Sequence, residues 1–205
     1  MADLLDGSVE PPMVSSVLTF EGTGDRMAVS NRYPGGSEDA RMPDPIGPDV
    51  SVLLLDGFLR RASLDAARSA VAGGVPVVLD GGSWKPGLED LLPLVDVAVC
   101  SADFHPPGTA GGDEAIDYLR DHGVERIALT RGADPILYRD GAEFGQIPVA
   151  PADVVDTLGA GDVLHGAFAY RLATGADFVA ALESAAALAT RSCESFGTRA
   201  WMGGT

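Results

Sequence analysis

Lysine is almost absent from this chain of 205 residues: Lys85 is the sole one, and the remaining basic residues are arginines. Positive charge as a whole is scarce. Lys and Arg number 14 against 30 Asp and Glu, for a formal net charge of −16. Such a surface is not built to bind nucleic acid or an anionic membrane, both of which carry dense negative charge. A local anion site can still overcome that mean field. Cysteine is also scarce. Cys100 and Cys193 are too few for a disulfide framework and lack metal-ligand spacing, and they suit a reduced cytoplasm. No apolar run reaches transmembrane length. The start, Met1 to Asp6, has no basic region before an apolar one, so no signal peptide is expected and a cytoplasmic location is. With 46% hydrophobic residues, the chain has enough apolar material for one sizeable core.

The patterning has two parts. Ser16–Glu21 and Arg26–Asn31 read as strands around the turn Gly22 to Asp25, a hairpin. Pro34 to Pro48 is a Pro/Gly/Asp-rich linker. From Val50 onward, wholly apolar strands alternate with helical segments. Strands are expected over Val50–Leu55, Val75–Leu79, Val97–Cys100 and Arg126–Thr130. Helices are expected over Ala62–Ala72 and Asp113–His122, with a short one over Leu88–Val95. Strands apolar on both faces predict a parallel sheet covered by helices on both sides. A hairpin, Ile136–Arg139 with Glu143–Val149, turns at Asp140-Gly141. Alanine-rich helices over Gly161–Ala173 and Asp177–Arg191 close the chain.

The most specific segment is Val155-Asp156-Thr157-Leu158-Gly159-Ala160-Gly161-Asp162. It follows β-prone runs, Gln146–Val149 and Asp153–Val155, and opens a helical pattern. A glycine turn at a helix N-terminus presents backbone N–H groups and the positive end of the dipole, which together bind anions. Asp162 falls in the first helical turn. A carboxylate aimed into an anion site is suited to taking a proton from a nucleophile that attacks a bound phosphoryl group. Its bland alternative is charge complementarity at the helix N-terminus.

This segment resembles the Asp-Thr-x-Gly-Ala-Gly-Asp signature of the ribokinase-like (PfkB) carbohydrate kinases, and Val163 to Tyr170 resembles the helix that follows it. Leu79-Asp80-Gly81-Gly82, Leu91 to Asp96 and Thr130-Arg131-Gly132 are most similar to the ketohexokinase and sulfofructose kinase branch. The resemblance implies a three-layer α/β/α ribokinase-like fold with a mainly parallel central sheet and a small β hairpin from the lid. It implies a single domain over 1–205, incomplete at its N-terminus, with a lid-like hairpin at 14–32 and a nucleotide-binding and catalytic core at 50–205. Relatives carry about a further third at the N-terminus, with much of the sugar site.

By the same resemblance, the activity is ATP-dependent phosphorylation of a hydroxyl on a ketose or related sugar. Asp162 is the expected general base, and Gly159, Ala160 and Gly161 form the anion hole. Thr130, Arg131, Gly132, Thr157 and Gly197 line the nucleotide. Asp156 holds a monovalent cation beside the anion hole or orients the loop; its bland alternative is an Asx-type or N-cap hydrogen bond. ATP, Mg²⁺ and K⁺ are the implied cofactors, a small-molecule sugar the partner, and a homodimer the assembly. The chain departs from the family at Pro135, where a glycine is usual, and at Ser101 to His105, which lacks an Asn-x-x-Glu motif. The competing reading is a non-catalytic nucleotide- or ligand-binding remnant of a sugar kinase.

Overall fold

The structure, a computed structural model, describes residues 14–20, 26–30, 41–42 and 45–203. The turn between the hairpin strands and most of the linker lie outside the described residues. Strand β1 (Ser15–Thr19) pairs antiparallel with β2 (Arg26–Ser30), as expected, with Leu18 opposite Met27 and Ser16 opposite Val29. Alternation puts Val14, Leu18, Phe20, Met27 and Val29 on one face, and all five are exposed.

The second sheet has six strands in the order β3-β4-β5-β6-β7-β8: Leu53–Leu55, Val77–Gly81, Val97–Ser101, Arg126–Arg131, Asp134–Asp140 and Glu143–Ile147. The first four run parallel and the last two add as antiparallel hairpins. Helices α1 (Arg60–Gly73) and α2 (Asp113–Asp121) intervene between the parallel strands, and α3 (Ala160–Ala173) and α4 (Phe178–Ser192) follow the sheet.

The period of two in each buried strand sorts the core into two layers. Val77, Leu79, Ala98, Cys100, Ile127 and Leu129 share one cluster with Ala67 and Ala70 of α1 and Ile116 and Leu119 of α2. Val78, Val97, Val99 and Ala128 point the other way, against Phe168 of α3 and Phe178, Leu182 and Ala185 of α4. Helices thus cover both faces of the sheet, which is the expected three-layer α/β/α arrangement. Phe168 is fully buried and meets Phe178 edge-on at 5.9 Å between ring centroids.

Prolines move several boundaries. β3 begins at Leu53, whose N–H bonds to the Pro76 carbonyl, because Pro76 cannot extend the β4 ladder inward. The expected helix over Leu88–Val95 is instead two 3₁₀ turns, Leu88–Asp90 and Leu92–Leu94, divided ahead of Pro93. β8 stops at Ile147, short of the expected Val149, because Pro148 has no N–H for the ladder. Asp153–Val155 is not a strand. The N–H groups of Val155 and Asp156 bond to the carbonyl of Cys193 instead, which ties this segment to the end of α4.

Candidate active site at the N-terminus of α3

Gly159 is the N-cap of α3, at φ 80, in the left-handed region that glycine adopts freely. A Cβ there would lie 3.1 Å from Thr198 Cγ2, so the segment after α4 packs directly on the glycine turn. Gly159→Ala therefore combines left-handed strain with crowding. The expected loss is about 1–2 kcal/mol of stability, read as a lowered urea midpoint at unchanged slope. The Ala160 N–H is bonded to Thr157 O at 3.2 Å, which leaves the donor role at the helix start to the Gly161 and Asp162 N–H groups. Asp162 is exposed in this first turn.

Asp156 is 3% exposed, and both of its carboxylate oxygens are engaged. Oδ1 accepts from the Leu158 N–H at 2.9 Å, an Asx turn, and Oδ2 accepts from the Gly197 N–H at 3.0 Å. Asp156 thus orients its loop and clamps it to the Cys193–Gly197 turn. The same turn holds Ser195, whose buried hydroxyl has no hydrogen-bond partner among the described residues. An anionic carboxylate near an unsatisfied buried oxygen is donor chemistry suited to a hard monovalent cation. Among the described residues, no group of three or more His, Cys, Asp or Glu is arranged to hold a metal ion. A magnesium ion carried in on nucleotide phosphates needs few protein ligands.

Thr130 and Arg131 end β6, level with Ser101 of β5, at the C-terminal edge of the sheet where open α/β folds bind ligands. Gly132 makes the left-handed turn into β7. The Arg131 guanidinium is turned back onto the hairpin: Nε and a terminal nitrogen both donate to the Pro135 carbonyl, at 3.0 and 2.6 Å. A phosphate at this site would compete with that carbonyl. Thr157, Gly159, Asp162 and Gly197 meet at the α3 end, and Thr130–Gly132 stand two strands from the end of β4 on the same edge.

Three neighbours were not assigned from sequence. Asp80, at the end of β4, accepts from the Gly82 N–H at 3.0 Å and sits 3.3 Å from Nδ1 of His165. Burial pushes its carboxyl above the ordinary value, with Asp162 adding to that rise, while His165 and Lys85 draw it down. Lys85 lies over the Phe58 ring at 4.5 Å, and burial lowers its ammonium from the usual value. Thr198 is the third. An acidic residue after the apolar run Val77-Val78-Leu79, then two glycines, was the available signal for Asp80. Gly81 is required there because a Cβ would collide with the Cys100 thiol. Cys100 and Cys193 are both buried and free, and burial raises both thiols. An open pocket at the far edge, beside Pro48, Val50, Ser69 and Val75, is lined by no titratable side chain.

The sequence profile described as pfkB family carbohydrate kinase matches residues 49–202. A 2-dehydro-3-deoxygalactonokinase of Haloferax volcanii is 32% identical over 148 residues, covering 66% of this chain and 46% of that protein. Fructosamine kinase FrlD of Bacillus subtilis is 26% identical over 187 residues, covering 89% of this chain and 65% of its own length. The chain thus spans about half to two-thirds of the length of these relatives. In fold it superposes on Arabidopsis thaliana ribokinase complexed with ribose and ATP, with a TM-score of 0.71 at 23% identity over 92% of this chain and 65% of that one. Aminoimidazole riboside kinase from Salmonella enterica, complexed with its riboside and an ATP analog, gives 0.70 at 22% identity over 85% of this chain and 67% of that one. The profile match extends across most of the chain and includes the glycine turn, Asp162 and both helical layers: the chain belongs to the pfkB family of carbohydrate kinases.

Proposed function

We propose that this chain carries the nucleotide-binding and catalytic portion of an ATP-dependent sugar kinase, with a ketose or related carbohydrate as acceptor. The observation that carries the reading is Asp162, exposed in the first turn of a helix that opens on a left-handed glycine. Asp162 takes the proton of the acceptor hydroxyl as that oxygen bonds to the γ-phosphorus. The bond from the γ-phosphorus to the β–γ bridging oxygen breaks, and ADP leaves with the electron pair. The Gly161 N–H of the turn, together with the Asp162 N–H, faces the phosphoryl oxygens with backbone donors already in place, which avoids reorganisation during transfer, while the Ala160 N–H stays bonded to Thr157. Thr130, Arg131, Gly132, Thr157 and Gly197 border the nucleotide. Mg²⁺, when bound with ATP, neutralises phosphate charge. Asp156 and Ser195 are the residues that would border a potassium ion.

ADP release from MgATP, measured across ketoses, aldoses and nucleosides, tests this reading. Release that depends on an acceptor supports it. Nucleotide binding without release under any acceptor supports the second reading, a ligand-binding chain without phosphotransfer.

A homodimer in a reducing, cytoplasmic setting completes the proposal. The exposed hairpin face, with Leu18 59% and Val29 64% exposed, and the β3 edge of the larger sheet are the surfaces that favour it. Size-exclusion chromatography with light scattering is expected to give twice the chain mass of 21.1 kDa, and a stable monomer contradicts it.

A further inference from the structure

His165 lies on α3 one turn after Asp162 and is 6% exposed. Among the described residues, the polar atoms facing each of its ring nitrogens are acceptors. Nδ1 is 2.7 Å from the Gly161 carbonyl and 3.3 Å from Asp80 Oδ2, and Nε2 is 2.9 Å from the Val99 carbonyl. A neutral imidazole has a single N–H, so it can donate on one side only and leaves a carbonyl facing a lone pair on the other. Only a ring with a proton on both nitrogens satisfies these acceptors, and the Asp80 carboxylate supplies its countercharge. The three contacts belong to three elements: the end of β4, β5, and the first turn of α3 that bears Asp162.

We propose that His165 is a positioning residue, a cationic pin that fixes Asp80 and the first turn of α3 to the C-terminal ends of β4 and β5. The pin stands on this geometry, and its kinetic consequence rests on the kinase reading above. Asp80 and Asp162 place two negative charges at the same mouth, and like charges there disfavour joint ionisation. The groups facing this cluster are Asp80 on β4, Lys85 on the loop after it, the neutral Cys100 thiol on β5, and Asp162 on α3 itself. A positive ring 3.3 Å from Asp80 offsets that repulsion at the Asp80 carboxylate.

Two measurements test the pin. Long-range ¹H–¹⁵N spectra of imidazole-labelled protein, with His165 assigned by its loss in His165→Asn, read the ring directly in the native chain. The expected result is protons on both ring nitrogens at neutral pH, reduced to one in Asp80→Asn. A singly protonated ring in the unmodified protein overturns the pin. The second measurement is the pH profile of ADP release. His165→Asn is expected to lower kcat by on the order of 10²-fold through misplacement of the reacting groups. KM for MgATP stays close to its starting value, and the acid limb moves to higher pH as Asp80 loses its partner. An unchanged acid limb overturns the positioning role. If the unmodified chain releases no ADP with any acceptor, the kinase reading fails, and the imidazole spectrum still decides the pin.

Discussion

Replacing Asp162 with Asn lowers the rate constant of acceptor-dependent ADP release about 10²- to 10⁴-fold, the usual contribution of a positioned general base. The carboxylate is exposed and makes no contact that the core depends on, so the expected stability change is small. Loss of a charge from the first helical turn costs roughly 0.3–1 kcal/mol. Activity and stability therefore separate. A mainly structural Asp162 would give the reverse, a lowered melting temperature with the rate nearly intact. KM for MgATP is expected to change little, because the backbone donors of the turn remain.

Asp156→Ala has the largest expected effect on stability. The carboxylate is buried and accepts two backbone N–H groups from segments far apart in sequence, Leu158 and Gly197. Removing it leaves both donors without a partner and releases the turn after α4 from the glycine loop. Hydrogen bonds to charged groups contribute about 1.5–3 kcal/mol each. The two act as one clamp and do not add fully, so the expected loss is about 3 kcal/mol. Asp156→Asn keeps one acceptor oxygen and is expected to lose about half as much. Thermal melts check this, and they also address the cation. Potassium is expected to raise the melting temperature of the unmodified chain by binding the folded state alone and to leave Asp156→Ala unmoved. A melting temperature for Asp156→Ala equal to that of the unmodified chain would contradict the clamp.

The layered fold was legible because the parallel strands are apolar on both faces. Val77-Val78-Leu79 and Val97-Ala98-Val99 can be buried only between two helical layers. The centre of the candidate site was proposed from sequence because Gly159-Ala160-Gly161-Asp162 combines backbone freedom, a helix start and a carboxylate in one short stretch. What escaped depended on long-range pairing. Val155 was expected to extend a strand, yet its N–H goes to Cys193, and Pro148 and Pro151 mark why the ladder had already ended. Of Asp156's two alternatives, the Asx hydrogen bond is present, and its second bond, to Gly197, spans a separation that no local pattern reveals. Asp80 and His165 likewise stand far apart in sequence, and only the packing of α3 across β4 and β5 brings them together. Arg131 lies where the ligand edge was expected, but its guanidinium bonds to the Pro135 carbonyl, at the position where the family's usual glycine is replaced.

The most direct test is ADP release from MgATP with a panel of sugar acceptors, comparing the unmodified chain with Asp162→Asn. The account predicts release that requires an acceptor and falls at least about 10²-fold in the variant, with both proteins equally folded. Acceptor-dependent release that persists undiminished in Asp162→Asn would contradict it.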